Sequence, residues 1–358
     1  MSVTEKQAMD APRGLPNLGN TCGINALLQC MCQLSSFESK NANVGPRGDV
    51  GPRGDVGPRG DWANALDSAI NESDPRPMSK QIFDLSNGMF AEGEQHDLSE
   101  LWIFVTDAMQ NEGPFVAHAA KAPRKAARGA ASGDKFYESL QCAAAKCLHT
   151  FFPKGVASVY ASVMGQTITQ IHCQKCDFIC HNHEPFSLIS VEPSAHLEDS
   201  IAEFLNPETI HHWTCDRCKS TESEKLVRFW TMPKTLCIAL KRFEFKDGRM
   251  HKKHTAVTIP MRLRFASDLI LSSGPGGAPG PGGAALYRVK AIGLHHGNGH
   301  GGHYTALVCA PNGSWYHMDD DVAFKLHDIK DAMKNNTRAY LIFYEQEALM
   351  RQRDPLSL

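Results

Sequence analysis

Three stretches of the sequence carry residues that could work together in catalysis: one supplies a thiol nucleophile and the other two supply its partners. Cys22 follows Gly19-Asn20-Thr21, a turn with helix-start residues, and opens an apolar pattern at helical spacing. A helix N-terminus and a neighbouring imidazole both lower the pKa of a thiol, and Cys22 meets the first condition by its position. The imidazole must come from elsewhere, and His303, at the start of an apolar strand, is the candidate.

A group that could orient this imidazole follows 16 residues later. Asp319 and Asp320 come after a Trp-Tyr pair, and a hairpin could bring either carboxylate against the His303 ring. Taken singly these clues are weak, because a histidine on a strand is usually structural and an aspartate cluster usually marks a turn. Together they predict a cysteine nucleophile, a histidine base and an orienting acid.

Four further cysteines have the spacing of a metal site. Two C-x-x-C pairs are separated by 38 residues, a longer interval than in most zinc ribbons. Each pair can present two thiolates to one ion, and four thiolates form a closed zinc site with no open position for a substrate. A redox role for one pair is the minor alternative, and a neighbouring residue could replace one ligand: Cys180, His181, His183, His211 or His212. The sequence predicts one structural Zn²⁺ held by Cys173, Cys176, Cys215 and Cys218.

The overall composition argues against several classes of protein. The 358 residues contain 37 lysines and arginines and 39 aspartates and glutamates, and a net charge of −2 is not typical of an electrostatic nucleic-acid binder. No apolar run approaches the ~18 residues of a membrane helix. Segment 1–10 is polar and does not resemble a secretory signal. We therefore expect an intracellular protein whose twelve cysteines are not paired in disulfides.

The scaffold that positions these residues changes character along the chain. Apolar residues at helical spacing predict helices over 22–34 and 97–109. From about residue 165 the pattern becomes strand-like. The clearest strand-length runs are 236–240, 287–294, 304–309 and 339–344. The sequence predicts an α+β fold, with a helical first half and a β-rich second half that carries the metal site.

Three low-complexity segments interrupt this outline. Glycine recurs at every third position over 45–61, a collagen-like G-X-Y pattern too short for a stable triple helix, so we interpret it as an extended insertion. Its Arg-Gly-Asp triplets would indicate integrin binding only in an extracellular protein. Residues 117–134 are expected to form a basic exposed loop, with a nuclear signal as the alternative. The Gly/Pro-rich segment 272–285 is expected to be a loop between strands.

Several motifs in a fixed order resemble the ubiquitin-specific protease family of deubiquitinating enzymes. In chain order they are a cysteine box (14–29), a second helix motif (94–101), the two cysteine pairs of a zinc-bearing region, a central strand (233–243), a histidine box (301–304), an acidic motif (315–320) and a closing strand (339–344). The first reads GLPNLGNTC over 14–22 and the histidine box reads GGHY. The resemblance covers roughly residues 14–345.

The resemblance implies a papain-like cysteine protease fold of three parts. By resemblance, a helical thumb covers 14–164, zinc-bearing fingers cover 165–235 and a β-rich palm covers 236–348. Segments 1–13 and 349–358 are expected to be tails. Two positions depart from the family pattern. Gly23 stands where a bulkier residue is common, which would loosen the helix start, and Met318 stands where an aromatic residue is usual.

The resemblance also implies a role for each site residue. Cys22 is the nucleophile, His303 the general base and Asp319 the orienting acid, with Asp320 as a second contributor. Asn17 matches the amide that donates a hydrogen bond to the developing oxyanion. The implied contacts to the ubiquitin tail are Gln95, Asp97, Phe243, His300, Gly301, Gly302 and Tyr304.

Members of this family hydrolyse isopeptide, peptide or thioester bonds at the terminal glycine of ubiquitin. The implied partners are ubiquitin, polyubiquitin and ubiquitinated proteins, with no nucleic acid, membrane or organic cofactor. We expect a monomer in the cytoplasm or nucleus. Two alternatives stay open: a catalytically weak ubiquitin-binding adaptor, and a protease for a ubiquitin-like modifier. The catalytic motifs do not separate ubiquitin from such a modifier, because the modifier's globular body is bound by other surfaces.

Overall fold

The computed structural model describes residues 11–37, 61–111, 115–116, 132–266, 269–270, 285–299 and 301–347. Several predictions lie mostly or wholly outside these ranges. They are the collagen-like insertion 45–61, the basic loop 117–134, the Gly/Pro-rich loop 272–285, the tails 1–13 and 349–358, and the contact residue His300.

The helices lie mainly in the first half of the described chain. They are α1 (Cys22–Met31), α2 (Asp61–Asp67), α3 (Arg76–Leu85), α4 (Leu98–Gln110), α5 (Ser132–Phe151), α6 (Ser158–Val163), α7 (Leu197–Leu205) and α8 (Ile329–Met333). A 3-10 turn, Ser35–Phe37, follows α1, and a π-type turn, Ser68–Glu72, follows α2. Helix α5 begins at Ser132, so the last three residues of the segment predicted as a basic loop, 132–134, are helical.

The strands lie mainly in the second half. They are β1 (Phe115–Val116), β2 (Val156–Ala157), β3 (Gly165–Cys173), β4 (Ile179–Phe186), β5 (Ile189–Val191), β6 (Glu208–Ile210), β7 (Ser223–Thr231), β8 (Thr235–Leu240), β9 (Phe243–Lys246), β10 (Arg249–Lys252), β11 (Arg262–Phe265), β12 (Ala285–Asn298), β13 (Gly301–Cys309), β14 (Trp315–Asp319), β15 (Val322–Lys325) and β16 (Ala339–Gln346). Most helices therefore precede the mainly antiparallel sheets along the chain, and the predicted α+β class is confirmed.

Helix α1 forms where the sequence predicts it but ends earlier. All ten of its residues are buried, including Asn25 and Gln29. Beyond Met31 the backbone N–H groups of Gln33 and Leu34 bond to carbonyls three residues back. This tighter pattern converts the end of the predicted helix 22–34 into turns.

One eight-stranded sheet positions the candidate site. Its order is β15-β14-β13-β12-β16-β8-β5, and β11 pairs with β12 beside that path. All pairs are antiparallel except β5 with β8. Strands β12 to β15 form a meander, so the start of β13 and the end of β14 lie side by side where these strands end. His303 lies near this start of β13, and Asp319 is the last residue of β14.

Helix α1 and helix α4 cover one face of this sheet and share one hydrophobic core with it. Leu27 and Leu28 of α1 and Trp102 of α4 are each 0–1% exposed. The Trp102 ring packs edge-on against Phe343 of β16, with 5.0 Å between ring centroids. A second core on the other side of the sheet includes residues of α7 and β11. The helix that bears Cys22 is thus held against the strands that bear His303.

A separate four-stranded sheet carries the two cysteine pairs. Its order is β4-β3-β7-β6, and α5 packs beside it through Ala144 against Ile168 and Trp230. No helix in the described part of the chain is long and apolar enough to span a membrane.

Candidate active site

The Cys22 thiol lies at the first residue of α1 and is 3% exposed. The chain reaches it through a tight turn in which Gly19 (φ 102°) and Asn20 (φ 58°) both adopt left-handed conformations. The Asn20 side chain anchors this turn by donating to the Gly93 carbonyl at 2.6 Å. The nucleophile candidate therefore sits on a fixed turn at the start of a buried helix.

Gly23 leaves room for the close packing between the start of α1 and the segment before α4. A Cβ at Gly23 would lie 2.9 Å from the carbonyl oxygen of His96 and 3.3 Å from Leu101. The segment before α4 therefore approaches α1 closely only because residue 23 has no side chain. This contact gives a physical reason for the glycine, and the expected loosening of the helix start stays a prediction.

Burial raises the pKa of the Cys22 thiol above its ordinary value, and the Asp320 carboxylate adds to this rise. Backbone N–H groups, that of Tyr304 first, act in the opposite direction but do not outweigh burial. The sequence-based expectation of a lowered pKa is thus not met in the free chain. Within the described ranges, no hydrogen bond joins the Cys22 thiol to the His303 ring.

His303 and Asp319 form a close pair across β13 and β14. The Nε2 atom of His303 lies 2.6 Å from Oδ1 of Asp319, and the two side chains are 40% and 42% exposed. A carboxylate can only accept, so the proton of the neutral ring lies on Nε2. The lone pair of His303 is then on Nδ1, where it can accept a proton from a thiol.

Asp320 contacts different partners from Asp319. Its backbone has φ 49°, a left-handed conformation that turns its side chain away from the strand direction of its neighbour. Oδ2 accepts from Asn17 Nδ2 at 2.8 Å, and Oδ1 accepts from Asn25 Nδ2 at 2.8 Å. The backbone carbonyl of Asp320 accepts from the N–H of Leu15 at 2.8 Å. Asp319 is thus hydrogen-bonded to the imidazole and Asp320 to the amides beside Cys22, although an Asp320 carboxylate oxygen also lies within 4.8 Å of a ring nitrogen of His303.

The Asn17 side chain is fixed from both ends. Its Oδ1 accepts from the backbone N–H of Gly19 at 3.0 Å and of Thr21 at 3.2 Å. One Nδ2 hydrogen is used on Asp320, which leaves the second hydrogen for another acceptor. An amide donor held in this way beside a nucleophile can stabilise an oxyanion without reorganising.

Asn25 is a site residue that sequence reasoning missed. It is 1% exposed, and one hydrogen of its amide goes to Asp320, while the other is shared between the Leu15 and Pro16 carbonyls. An asparagine three residues after the cysteine, on the apolar face of a predicted helix, was the available signal. Its hydrogen bonds tie α1 to the segment that carries Asn17.

Asp97, the first residue of the predicted helix 97–109, is the N-cap of α4, which begins at Leu98. Its Oδ1 accepts from the N–H groups of Ser99 at 2.8 Å and Glu100 at 3.2 Å. Its Oδ2 accepts from the hydroxyl of Tyr340 at 2.7 Å and that of Tyr304 at 3.3 Å. Asp97 and Tyr304, both predicted tail contacts, thus lie together, and Tyr340 is a further member that the sequence did not indicate.

Gln95 bridges to the glycine pair at the start of β13. Its Nε2 donates to the Gly302 carbonyl at 2.6 Å, and its Oε1 accepts from the Gly302 N–H at 3.1 Å. A Cβ at Gly301 would lie 3.2 Å from this same Oε1 atom. Three of the predicted tail contacts are therefore in direct contact with one another.

Phe243 packs within an aromatic cluster beside these residues. Its ring lies edge-on to His295 and Tyr340, with centroid distances of 5.1 and 5.5 Å. The preceding residue, Arg242, is fully buried, and burial lowers the pKa of its guanidinium to about 10. Its NH groups donate to the carbonyls of Lys253, Thr255 and Asn336. A cleft of about 370 Å³ opens here, lined in part by Ser99, Phe243 and Tyr340.

The four predicted metal ligands come together at the tip of the second sheet. Their sulfur atoms all lie within 4.8 Å of one another, with Cys173···Cys218 at 3.5 Å and Cys176···Cys215 at 3.7 Å. The two turns share one design. A left-handed residue follows each pair, Asp177 (φ 54°) in one and Lys219 (φ 62°) in the other. Each of these residues donates its N–H to the first cysteine of its pair. The cluster could hold a metal ion.

Known proteins resemble this chain over almost its whole length. Ubiquitin carboxyl-terminal hydrolase 4 of the yeast Vanderwaltozyma polyspora is 26% identical over 382 residues, which cover 95% of this chain and 42% of that protein. Ubiquitin carboxyl-terminal hydrolase 5 of Saccharomyces cerevisiae is 24% identical over 375 residues, 94% of this chain and 45% of that protein. Human ubiquitin carboxyl-terminal hydrolase 3 is 25% identical over 390 residues, 96% of this chain and 69% of that protein.

The chain thus spans less than half the length of the two yeast relatives. Among solved structures, it resembles a chain of the SAGA deubiquitinating module Ubp8/Sgf11/Sus1/Sgf73 bound to ubiquitin aldehyde. That likeness has a TM-score of 0.67 and 19% identity, and it covers 95% of this chain and 70% of the other. At this identity the likeness establishes the fold alone. The family described as "Ubiquitin carboxyl-terminal hydrolase" matches residues 13–344, and the chain therefore belongs to the ubiquitin carboxyl-terminal hydrolase family.

Proposed function

We propose that the chain is a cysteine-type deubiquitinase that hydrolyses isopeptide bonds, and peptide or thioester bonds, at the C-terminal glycine of ubiquitin. The observation that carries this proposal is the surroundings of the Cys22 thiol: it contacts the backbone N–H of Tyr304, next to the His303–Asp319 pair, and interacts with Asp320, which holds the Asn17 amide. Its substrates are ubiquitinated proteins and polyubiquitin, as the family and the relatives' names suggest.

The reaction follows from the proton positions in the pair. The Cys22 thiol gives its proton to Nδ1 of His303, and the thiolate attacks the carbonyl carbon of the terminal glycine. The negative charge moves to the carbonyl oxygen, where the second Nδ2 hydrogen of Asn17 and the Cys22 N–H can donate to it. As the C–N bond breaks, His303 returns the proton to the leaving lysine amine. A water molecule then gives a proton to His303 and hydrolyses the thioester, which releases the ubiquitin carboxylate and restores the thiol.

Asp319 takes part in this reaction through His303. Its carboxylate accepts from Nε2–H at 2.6 Å and stabilises the imidazolium that forms when Nδ1 takes the proton. Asp320 acts through the amides instead, because its two oxygens hold Asn17 and Asn25. We therefore assign the orienting role to Asp319 and a positioning role for the oxyanion donor to Asp320.

The ubiquitin tail would pass between the segment before α4 and the start of β13. A Cβ at Gly301 would meet the Gln95 Oε1 atom at 3.2 Å, so this glycine leaves room for a backbone once Gln95 moves, and Tyr304 and Phe243 supply aromatic walls. The space beside Gly302 is filled by the His296 carbonyl of β12, so this glycine lets β12 and β13 approach each other and contacts the tail through its backbone. Gln95 would contact the same tail, after exchanging at least part of its pairing with Gly302. The Asp97 carboxylate, with Tyr304 and Tyr340 on one oxygen, adds negative charge beside this path. His300 is proposed as a rim contact on sequence grounds alone.

We also propose that the cysteine cluster holds one structural Zn²⁺ in a fingers region. A tetrahedral site with Zn–S bonds of about 2.3 Å has S···S edges of about 3.8 Å, close to the observed 3.5 and 3.7 Å contacts. Bound zinc would join the two turns and supply folding energy, with no part in the chemistry at Cys22. No organic cofactor is needed for the proposed reaction. We further propose that the chain is divided into thumb, palm and fingers, and that it is a monomer.

An intracellular location, in cytoplasm or nucleus, fits this chemistry. All twelve cysteines are free, and both a nucleophilic thiol and a four-thiolate cluster need a reducing compartment.

A second candidate is a ubiquitin-binding adaptor with little catalysis. Two observations favour it: burial raises the pKa of Cys22, and the thiol makes no hydrogen bond to His303 among the described residues. Catalytic hydrogen bonds are often long in a free enzyme and tighten when substrate binds, so the deubiquitinase remains the main proposal.

The test uses a ubiquitin C-terminal fluorogenic amide and a ubiquitin C-terminal electrophilic probe. The expected result is turnover and a covalent adduct with the wild-type chain, both lost in Cys22→Ala, whose ubiquitin binding remains. Binding without turnover or adduct would support the adaptor. Turnover that survives in Cys22→Ala would refute the assignment of the nucleophile, and activity only on a ubiquitin-like reagent would change the substrate.

A further inference from the structure

Two histidines with no part in the proposed reaction lie beside the His303–Asp319 pair. His296 of β12 is directly opposite His303 of β13, with 6.4 Å between ring centroids. His317 of β14 is two residues before Asp319, so it shares a sheet face with that carboxylate. The His296 and His317 rings are nearly parallel, at 20°, with centroids 6.4 Å apart.

Thr305 joins these two rings through one hydroxyl. It is 2% exposed and lies two residues after His303 on the same face of β13. Its Oγ1 atom is 3.0 Å from Nε2 of His296 and 2.9 Å from Nε2 of His317. A hydroxyl has one hydrogen and two lone pairs, so it can donate to one ring and accept from the other. The hydrogen bonds therefore cross three neighbouring strands, β12, β13 and β14.

The surroundings keep both rings uncharged near neutral pH. Burial lowers the pKa of His296 to about 4 and also lowers the pKa of His317. The Arg338 guanidinium acts in the same direction on both, and the Asp319 carboxylate acts against it. A neutral ring can donate or accept through Nε2, whereas a doubly protonated ring can only donate. The three-strand connection is thus available at the pH where the proposed reaction would run.

Resting on the proposed function, we propose that Thr305, bridging His296 and His317, is a positioning residue for that reaction. The bridge ties β14 to β13 next to the point where Asp319 reaches His303. It thereby holds the Asp319 carboxylate on Nε2 and keeps the His303 proton on that nitrogen. Without the bridge, the carboxylate is no longer fixed and the ring can adopt the other tautomer, which presents N–H rather than a lone pair to the thiol.

The test compares Thr305→Val, which removes the hydroxyl, with Thr305→Ser, which keeps it. The first readout is the tautomer of His303 in the full chain, from long-range ¹H–¹⁵N spectra, with His303→Gln to assign the signals. We expect the Nε2–H form in the wild type and in Thr305→Ser, and a mixture of tautomers in Thr305→Val. The second readout is hydrolysis of the ubiquitin fluorogenic amide, where Thr305→Val should lose on the order of 10-fold in kcat with little change in KM.

Thr106→Val is the matched control for removing a buried hydroxyl. Thr106 is 1% exposed and donates to the Trp102 carbonyl at 2.8 Å within α4. It should alter thermal stability only. A Thr305→Val chain with the wild-type tautomer and wild-type kcat would overturn the proposal, and so would a Thr305→Ser chain as impaired as Thr305→Val.

A second pair covers the case in which Thr305→Val does not fold. His317→Gln keeps a polar partner for Thr305, whereas His317→Leu removes it. The proposal expects the first to resemble the wild type and the second to lose the single tautomer, and equal behaviour of the two would overturn it. If the wild-type chain does not hydrolyse the amide at all, the proposed function fails, while the tautomer measurement still decides the role of Thr305.

Discussion

Replacing Asp320 by asparagine would test whether the two acids have separate roles. Asp320 accepts from the amides of Asn17 and Asn25, each at 2.8 Å. An asparagine at this position has one oxygen and one NH₂ group, so one of these two amides must face a donor instead of an acceptor. A hydrogen bond to a charged group contributes about 1.5–3 kcal/mol, and Asn17 or Asn25 would lose that support.

The magnitude follows from the proposed role of Asn17 as an oxyanion donor. Loss of one oxyanion donor costs about 3 kcal/mol, or on the order of 10² in kcat. If Asp320 acts only by holding Asn17, then Asp320→Asn, Asn17→Ala and the double variant each lose about the same 10² in kcat. Independent roles would instead give about 10⁴ in the double variant.

The assay is kcat at saturating ubiquitin fluorogenic amide, measured for the four corners of this double-mutant cycle. Asp321→Asn is the control, because Asp321 is the next acid in the chain and is exposed. A loss of about 10⁴ in the double variant, or a loss in Asp321→Asn equal to that in Asp320→Asn, would refute the reasoning. By comparison with serine protease triads, Asp319→Asn should cost about 10⁴ because it favours the wrong histidine tautomer.

Three further predictions follow from the site. The raised pKa of Cys22 predicts that iodoacetamide alkylates it more slowly at pH 7 than a free cysteine, and that the alkylation rate still increases above about pH 8.5. The rate in the free chain is followed by peptide mass spectrometry. Since the Asp320 carboxylate contributes to that rise, Asp320→Asn should move the alkylation curve to lower pH, and an unmoved curve would contradict the assigned cause. Gly23→Ala should lower the free energy of unfolding by about 1–3 kcal/mol in urea, because its Cβ would lie 2.9 Å from the His96 carbonyl, and an unchanged midpoint would refute this close contact. Cys176→Ser should contain less zinc by elemental analysis, and its β3–β7 region should be cleaved faster by a protease. Cys180→Ser alters a neighbouring cysteine outside the cluster and should keep the metal. Equal zinc content in the two variants would contradict the four-cysteine site.

The fold class and the family were predictable from the sequence because they depend on patterns that act locally. The start of α1 at Cys22 follows from the Gly-Asn-Thr turn and the apolar spacing after it. The strand-length runs correspond to β8, β12, β13 and β16, although β12 is longer than expected, at Ala285–Asn298. Both confirmed predictions therefore rest on periodicity and on motif order.

The details of the site were less predictable, because they depend on conformation and on distant contacts. The sequence could not separate Asp319 from Asp320, since the difference comes from the left-handed backbone of Asp320. It predicted a lowered pKa for Cys22 from the helix start alone, and the desolvation of the buried thiol outweighs that effect. The bridge at Thr305 was invisible because it depends on the register of β12, β13 and β14.

The hydrogen bonds between the first described segment and the end of β14 also have a consequence for folding. Asn17 and Asn25 bond to a carboxylate 303 and 295 residues away along the chain, and the Leu15 N–H bonds to the same residue. Such contacts close very long loops, so they form late and slowly compared with the local helix α1. During synthesis, the proposed nucleophile Cys22 leaves the ribosome long before the proposed oxyanion donor Asn17 can be oriented by Asp320. A chain interrupted between Cys22 and Asp320 would thus contain the cysteine but could not form these contacts around it.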